Sequence, residues 1–391
     1  MHRLLLVLFL AALSLQPAAA APGCFVYVGT YTDRGLLGKP SANAPGALSK
    51  GIYVFRFDTT TGKLTPLGLA AETPNPTYIT FSASGKFLYA VNEIYQYRGE
   101  PSGAIGAYSI DPANGHLTLL NQVPAHGTGP CHAVIDQTGR NLLAANFGSG
   151  SVAVFPLNPD GTLRPASSFS QDTGKGPNSR QDGPHSHAIN LTPDNRFAIA
   201  SEFGTDRLRI FRFDASAGTL TPAEPPRVPM KPASAPRHLA FHPNGKFAYS
   251  LNEIDSTVTV LAYDGAKGSF RQLQNLSALP AGFRDFNTAA EVIAHPSGKF
   301  LYTSNRGHHS IAVFAIEADG TLRILAHAPC GGKTPRGFSI DSSGRWLIAA
   351  GQSTHNIAVF AIDPVTGIPT PTGETAPVHT PTGVKFLELR E

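Results

Sequence analysis

Two ionisable residues stand side by side in the stretch APRHLAF, where Arg237 and His238 precede apolar residues typical of a buried strand. Charge at such a place is costly unless a partner or a ligand takes up its hydrogen bonds. A guanidinium can bind a carboxylate or phosphate through two parallel hydrogen bonds, and it can stabilise a developing oxyanion. The pair therefore indicates either an anion-binding site or a structural corner.

Further residues with active-site chemistry lie in short motifs elsewhere. His185 and His187 stand two apart in DGPHSHAI, Glu253 ends the motif LNE, and Arg306 ends the motif SNR. Side chains two apart on an extended strand lie on one face. The histidines fit a metal pair, hydrogen bonds between blades, or acid–base and anion-binding roles. Because no third ligand accompanies them at a typical spacing, we expect no metal and no cofactor.

These motifs fall at fixed places in a repeat that runs along the chain. Six segments share a short apolar strand, a polar turn and a second apolar strand, which is the signature of a β-hairpin. They are residues 78–93, 132–147, 187–203, 238–253, 291–306 and 337–352. A third and a fourth strand follow each hairpin, as in HSIAVFAIEADGTLRIL. Each unit is therefore an antiparallel sheet of about fifty residues, a length typical of propeller blades.

The two chain ends supply half-units that complete a seventh blade. Residues 24–32 and 51–67 have the form of its second to fourth strands, and residues 382–389 have the form of the missing first strand. A blade built from both ends closes a ring and removes its open edges. We predict an all-β, seven-bladed propeller of four-stranded blades, forming one domain over residues 22–391. A pair of β-sandwiches or a solenoid would not explain the two half-units.

The repeat aligns equivalent positions, so residues that depart from its pattern become candidates for function. One slot near the start of the first strand holds Tyr78, His132, His187, His238, Glu291 and Gly337, and the slot before it holds Thr77, Cys131, Ser186, Arg237, Ala290 and Arg336. First strands line the channel of a propeller, so polar residues there point to one mouth. We expect substrate contacts from His132, His187, His238, Glu291 and Arg336.

A second slot, at the end of the second strand, usually holds asparagine. We interpret this asparagine as structural, because its side chain can satisfy backbone groups at a turn. Glu253 and Arg306 directly follow it on successive blades. An acid and a base beside a polar mouth form a plausible catalytic or binding pair.

Composition and charge argue against several other functions. The chain has 391 residues, 41% of them hydrophobic, and a mild net charge of +4 without a dense Lys/Arg run, so no nucleic-acid partner is expected. It contains no Walker loop, G-x-S-x-G elbow, dinucleotide fingerprint or H-E-x-x-H motif. Its three cysteines, Cys24, Cys131 and Cys330, match no metal spacing and allow at most one disulfide.

The first residues have the pattern of a secretory signal peptide. A basic start precedes an apolar run from Leu4 to Leu15, and small residues then lead to a cleavage site near Ala20 or Ala21. The apolar run is too short to span a bilayer, so no membrane contact is expected beyond this leader. We predict that residues 1–21 are a leader and that the mature protein is periplasmic or secreted.

Four motifs together resemble the lactonase-type seven-bladed propeller family, which includes a bacterial 6-phosphogluconolactonase and a fungal carboxy-cis,cis-muconate cyclase. They are GPHSH in the third hairpin, PRH opening the fourth, NE ending it, and SNRG ending the fifth. The resemblance covers residues 24–389, and its motifs are specific only as a set. It implies catalytic positions at His185, Arg237, Glu253 and Arg306. The implied partner is a small anionic lactone or carboxylate, and predicted export favours an unphosphorylated sugar lactone or another acidic lactone.

Three functions are compatible with these residues. In a lactonase, arginines bind the anion or the oxyanion, and His185 or Glu253 acts as general base. In a cycloisomerase, the same groups close an unsaturated dicarboxylate into a lactone. A non-catalytic binding propeller is the third, because a fold does not dictate activity. The three-dimensional arrangement distinguishes catalysis from binding alone. Catalysis requires that one substrate can reach all four predicted catalytic residues: His185, Arg237, Glu253 and Arg306.

Overall fold

Seven four-stranded antiparallel sheets make up the part of the chain that the computed structural model describes, residues 23–32 and 49–388. The predicted leader, residues 1–21, lies outside these described residues. Apart from a three-residue 3-10 helix, Phe203–Thr205, the regular elements in those ranges are strands. No helix among the described residues is long and apolar enough to span a membrane.

Each sheet is one blade, and its strands run in order from the channel outward. Blade 1 contains β28 (Pro381–Glu388), β1 (Gly23–Thr30), β2 (Gly51–Asp58) and β3 (Leu64–Glu72). Blade 2 contains β4 (Pro76–Phe81), β5 (Phe87–Asn92), β6 (Ala104–Ile110) and β7 (Leu117–Pro124). Blade 3 contains β8 (Pro130–Ile135), β9 (Asn141–Asn146), β10 (Ser151–Pro156) and β11 (Ser168–Gln171). Blade 4 contains β12 (Ser186–Leu191), β13 (Phe197–Glu202), β14 (Arg207–Asp214) and β15 (Thr219–Pro229).

The remaining three blades follow the same pattern without a crossover. Blade 5 contains β16 (Pro236–Phe241), β17 (Phe247–Asn252), β18 (Thr257–Asp264) and β19 (Ser269–Ser277). Blade 6 contains β20 (Ala289–Ala294), β21 (Phe300–Asn305), β22 (Ser310–Ile316) and β23 (Leu322–Pro329). Blade 7 contains β24 (Pro335–Ile340), β25 (Trp346–Gly351), β26 (Asn356–Ile362) and β27 (Pro369–Pro377). The predicted seven-bladed propeller is therefore confirmed.

Seven hydrophobic clusters hold the blades together, and each cluster joins two neighbouring blades. The second and third strands are apolar on both faces because each face packs against a different neighbour. Innermost strands contact one another in the closed order β28, β4, β8, β12, β16, β20, β24 and back to β28. They line the central channel, as expected from the repeat.

The ring closes through the pairing of the two chain ends. Strand β1 lies antiparallel to β28, with Cys24 opposite Glu388 and Val28 opposite Val384. This confirms the prediction that one blade is shared by the N- and C-terminal strands. We call the channel end where first strands begin the upper mouth, and it is marked by Arg237 and Glu253.

A β-bulge interrupts the first strand of every blade close to the upper mouth. In blade 5, Pro236 lies opposite Asn252 and His238 lies opposite Leu251, so Arg237 is left without a partner. The same register shift occurs in the other six blades. A bulge re-aims a side chain and is often found beside active sites. Here it lets two successive residues of the first strand point into the channel.

The register corrects one part of the repeat alignment. His187 was aligned with His132 and His238, but Ser186 lies opposite Glu202 and Ala188 lies opposite Ser201. His187 is therefore the bulged residue of blade 4, in the slot of Arg237, and Ala188 takes the slot of His238. In the third hairpin Asn195 (φ +59°) takes the left-handed turn position that glycine takes elsewhere, so an alignment on turn glycines displaces this hairpin by one residue.

Tyrosine hydroxyls link four blades to the next blade around the ring. Each tyrosine lies on the second strand and donates to a glycine carbonyl in the turn between the outer strands of the neighbouring blade. The pairs are Tyr27 with Gly115 (2.8 Å), Tyr89 with Gly161 (3.0 Å), Tyr249 with Gly320 (3.3 Å) and Tyr302 with Gly367 (2.6 Å). The glycine is required at position 367, where φ is +71° and a Cβ atom would collide with the ring of Phe300.

We predict that Tyr302→Phe lowers the free energy of unfolding by about 1 kcal/mol, because the buried Gly367 carbonyl loses its hydrogen bond. The shift is measured as the urea midpoint followed by tryptophan fluorescence and circular dichroism. Tyr95→Phe is the control, because its ring is 40% exposed and water can replace a lost partner. Equal midpoints for wild type and Tyr302→Phe would contradict the prediction.

Candidate active site

Arg237 is the centre of a buried ion cluster at the upper mouth. It is only 2% exposed. Its Nε donates to Oε2 of Glu253 at 2.9 Å, and its Nη1 donates to the carbonyl of Ala290 and to Nε2 of His238 at 3.1 Å. No described residue forms a hydrogen bond with Nη2, which leaves that nitrogen as the donor available to a ligand.

The carboxylate of Glu253 holds three arginines. It directly follows Asn252 at the end of β17, and it is 2% exposed. Besides Arg237, it pairs with Nη2 of Arg306 at 2.8 Å and with Nη2 of Arg180 at 2.5 Å. Burial raises the pKa of Glu253, but the arginines, Arg306 foremost, outweigh burial and lower it to about 2. Glu253 is therefore an anion at neutral pH and a weak base.

The arginines of this cluster remain charged despite their burial. Burial, together with the positive charges of Arg336 and Arg306, lowers the pKa of Arg237 to about 10. Burial also lowers the pKa of Arg306, and the nearby charge of Glu253 raises this pKa only in part. Nη2 of Arg306 donates to the carbonyl of Ala289 at 3.2 Å. The group thus has three cations and one anion, an excess that favours an anionic ligand.

A second acid–arginine pair belongs to the same charged mouth. Glu93 follows Asn92 of blade 2 in the slot that Glu253 occupies in blade 5. Nη2 of Arg336 lies 3.5 Å from its Oε2, and the hydroxyl of Tyr31 donates to its Oε1 at 3.0 Å. The guanidinium of Arg336 also lies over the Tyr31 ring at 5.2 Å. Burial lowers the pKa of Arg336, but the nearby Tyr31 and Glu93 outweigh burial and raise this pKa above its usual value.

His185 lies in the loop before β12, which begins at Ser186, so it does not share a strand with His187. Its ring stacks on Phe147 at 4.7 Å. Nδ1 lies 2.9 Å from the carbonyl of Phe147, and Nε2 lies 2.9 Å from Oδ1 of Asp182. Buried Glu202 anchors this loop by accepting the backbone N–H of His185. Both ring nitrogens therefore face acceptors.

His185 is connected to the arginine cluster through aromatic neighbours. The ring centroids of Phe203 and His185 lie 6.2 Å apart, and the guanidinium of Arg180 lies over the Phe203 ring at 5.1 Å. Arg180 in turn pairs with Glu253. Arg237, Glu253 and Arg306 are thus in direct contact, whereas His185 stands at the edge of the same group.

His187 projects from its bulge toward Phe147 and His238, with ring centroids 5.2 and 5.3 Å away. Its Nδ1 lies 3.7 Å from Sγ of Cys131. Burial and the nearby charge of Arg237 hold the pKa of His187 well below its usual value. The ring is therefore neutral at neutral pH.

One position further along the first strands, the channel interior contains a second polar group. Oε1 of Glu291 lies 2.7 Å from Nδ1 of His238. The ring of His132 packs against Tyr78 at 4.3 Å and against His238 at 5.2 Å. Nζ of Lys385 donates to the hydroxyl of Tyr78 at 3.2 Å. His132, His238 and Glu291 are all less than a tenth exposed.

Several residues of this site were missed by the sequence reasoning. Glu93 was detectable, because it occupies the slot of Glu253. Lys385 is the charged residue of the terminal first strand, and comparison with its counterparts in other blades would have singled it out. Arg180 lies in the loop between β11 and β12, outside the repeat, where no aligned position exists.

The recurring asparagine is structural, as predicted. Nδ2 of Asn92 donates to the carbonyl of Pro74, that of Asn146 to Ala125, and that of Asn305 to Ala278. These carbonyls lie in the segments that lead from one blade to the next. In these three blades the side chain therefore ties the second strand to the linker beside it, whereas Asn252 donates to the hydroxyls of Thr257 and Thr259 on the next strand.

The fold and sequence can be compared with known proteins. Residues 25–386 match the family described as "Lactonase, 7-bladed beta-propeller". The 6-phosphogluconolactonase of Bacillus subtilis is 36% identical over 362 residues, covering 92% of this chain and 97% of the relative. A 6-phosphogluconolactonase of Formosa agariphila is 33% identical over 323 residues, covering 81% of this chain and 86% of the relative.

Solved structures agree with these sequence matches. The structure of the periplasmic gluconolactonase PpgL of Pseudomonas aeruginosa superposes with a TM-score of 0.84 at 32% identity, covering 94% of this chain and all of that one. The match extends around the whole ring, including the blade that both chain ends share. On this combined evidence the chain belongs to the lactonase family of seven-bladed β-propellers.

Proposed function

We propose that this chain hydrolyses a lactone that carries an anionic group, and that the reaction takes place at the upper mouth. The observation that carries the proposal is the buried Glu253 carboxylate with three arginines around it, at the channel end of a lactonase-family propeller. Similar proteins with the names 6-phosphogluconolactonase and gluconolactonase support a cyclic sugar ester as the substrate class.

Lactone hydrolysis needs a polarised carbonyl and an activated water. Water adds to the carbonyl carbon, and the carbonyl electron pair moves to oxygen. The bond from that carbon to the ring oxygen then breaks, and the ring oxygen takes a proton as the chain opens. Nη2 of Arg237 is suited to stabilise the oxyanion, because its other donors are already bonded and hold it in one orientation. Arg306 and Arg180 are suited to bind the substrate's anionic group.

We assign His185 as the general base. The carbonyl of Phe147 accepts from Nδ1–H, and the carboxylate of Asp182 faces Nε2. The base forms when Nε2 has lost its proton, because Nδ1–H stays bonded to Phe147 and the lone pair is then on Nε2. The Asp182 side chain, which lies beside Nε2 of His185, is 82% exposed. Contacts of such exposed pairs are weak, so Asp182 can leave Nε2 to an attacking water at little cost.

Glu253 and the second acid–arginine pair have supporting roles in this scheme. Glu253 orients Arg237 and Arg306 rather than accepting a proton, since its low pKa makes it a weak base. Arg336, next to Glu93 and Tyr31, contacts a polar group at the other end of the substrate. His187 and His132 line the space between these two groups as neutral donors or acceptors.

Export of the mature protein is part of the proposal. The apolar run from Leu4 to Leu15, followed by small residues, supports a leader. The similar gluconolactonase of Pseudomonas aeruginosa is described as periplasmic. An exported enzyme meets lactones outside the cytoplasm, which favours an unphosphorylated acidic sugar lactone over a phosphorylated intermediate.

Arg237→Ala should lower kcat/KM for lactone hydrolysis by about a hundredfold or more, the usual loss when an oxyanion donor is removed. The assay follows acid release from glucono-δ-lactone, its 6-phosphate and a carboxylate-bearing sugar lactone. The variant should still fold, because Glu253 keeps Arg306 and Arg180 as partners. Arg271→Ala, on the exposed face of β19, is the control.

Undiminished hydrolysis by Arg237→Ala would overturn this assignment. Wild-type protein that opens none of these lactones would overturn the proposed function itself. A carboxymuconate, followed by ultraviolet absorbance, is the comparison substrate, and its cyclisation without lactone hydrolysis would favour a cycloisomerase.

Glu253→Gln should destabilise the protein in a pH-dependent way. The folded-state pKa of Glu253 lies at about 2, below its ordinary value of about 4.5. Its carboxylate therefore stabilises the fold fully above about pH 4.5, and this contribution is lost as the pH falls toward about 2. The urea midpoint of Glu253→Gln should be below wild type at neutral pH, and the gap should close across that acid range.

Glu72→Gln is the matched control, because Glu72 is exposed on β3. Its urea midpoint should follow wild type at each pH. A gap between Glu253→Gln and wild type that stays constant from neutral to acid pH would show that the ionised carboxylate does not hold the arginines.

Expression of the full chain in a Gram-negative host tests export. We expect the protein in the periplasm, with mass spectrometry placing its first residue just after Ala20 or Ala21. A version with residues 2–21 deleted should stay in the cytoplasm. Recovery of uncleaved chain in the cytoplasm would contradict the prediction.

A further inference from the structure

A line of three side chains runs from the channel interior to the upper mouth. Oε1 of Glu291 lies 2.7 Å from Nδ1 of His238, and Nε2 of His238 lies 3.1 Å from Nη1 of Arg237. The residues come from blades 5 and 6, and all three are less than a tenth exposed. The scheme for lactone hydrolysis gives the first two no role.

The chemistry of the three groups determines the proton positions along this line. A guanidinium has only N–H donors, so Nε2 of His238 must accept from Arg237. A neutral imidazole with a lone pair on Nε2 has its proton on Nδ1, and that proton points to the carboxylate of Glu291. Every contact is then satisfied with His238 neutral. Protonation of Nε2 would place two N–H groups against each other.

The surroundings of His238 favour this neutral form. Burial lowers its pKa, and although Glu291 raises it, the charges of Arg237 and Lys385 oppose a further cation. Burial raises the pKa of Glu291, but the hydrogen bond from His238 and the charges of Lys385 and Arg237 outweigh burial, so the carboxylate stays ionised. The groups that face His238 are Arg237 on its own strand, Glu291 on β20, Lys385 on β28, Tyr78 on β4, His132 on β8 and His187 on β12.

We propose that Glu291 and His238 are positioning residues, which hold Nη1 of Arg237 from the channel side and so direct Nη2 toward the substrate. The proposal rests on the proposed function of Arg237 and deepens it. Glu253 restrains the guanidinium at Nε, and His238 and the carbonyl of Ala290 restrain it at Nη1. These contacts define the plane of the guanidinium. The role differs from the substrate contact expected for His238 and Glu291 from the sequence.

Substitution of His238 by two residues of similar shape separates positioning from packing. Gln and Met are both unbranched and similar in length, but only Gln provides an oxygen that can accept from Arg237. We expect His238→Gln to keep most of the wild-type kcat/KM, and His238→Met to lose about tenfold to a hundredfold, the usual cost of removing a supporting partner. The loss should appear in kcat rather than in KM, because Arg237 acts on the developing oxyanion.

Thermal melts of both variants establish that they fold, and equal activity in the two folded variants would overturn the proposal. Should His238→Met not fold, Glu291→Met provides the second test, since it removes the acceptor for Nδ1–H and leaves His238 in place. We expect the same loss in kcat for Glu291→Met, with Glu291→Gln, which keeps an acceptor oxygen, closer to wild type.

The tautomer of His238 gives a test that needs no substrate. In protein labelled with ¹⁵N-histidine, the signal that His238→Gln removes identifies this ring. At neutral pH we expect a protonated Nδ1 and an unprotonated Nε2. A ring protonated on Nε2, alone or together with Nδ1, would overturn the proposal. If no lactone is hydrolysed, the proposed function fails, and the tautomer still decides whether His238 accepts from Arg237.

Discussion

The antiparallel contact between β1 and β28 is the interaction on which the architecture depends. It supplies the innermost strand of blade 1, and residues of that strand enter the hydrophobic clusters on both sides of the blade, Val384 on one side and Leu387 on the other. Without it, the innermost strands would not form a closed ring. Closure brings blades 2, 5, 6 and 7 around one space, and only then do Glu93, Arg237, Arg306 and Arg336 face a common mouth.

The charged mouth is costly for the fold. Burying an ion removes its hydration, and mutual attraction repays that cost only when the partners are well placed. Glu253 is well placed, with three guanidiniums at 2.5–2.9 Å, yet these cations also repel one another. An anionic ligand would relieve that repulsion. The excess of buried positive charge therefore costs stability that Glu253 offsets only in part, and it favours the binding of an anion, which is typical of sites where perturbed ionisable groups cluster.

The sequence predicted the ring because each hairpin repeats, and it identified Arg237, Glu253 and Arg306 because they depart from their aligned neighbours. The same comparison misplaced His187, since it depended on a turn glycine that Asn195 replaces in the third hairpin. Arg180 could not be found, because it lies in a loop with no aligned counterpart. The contacts of Lys385 with Tyr78 and of Glu291 with His238 could not be found either, because the repeat aligns equivalent positions but does not show which side chains of neighbouring blades meet.

Closure of the ring through both chain ends also determines where anything attached to the protein would lie. Strand β1 runs toward the upper mouth and β28 runs away from it, so Gly23 and Glu388 lie together at the opposite face. A fusion partner, an affinity tag or a link to a solid support joined directly to Gly23 or Glu388 would start at the face opposite the arginines. The same closeness makes the ring suitable for circular permutation, with the old ends joined and new ends opened in an outer turn of any other blade.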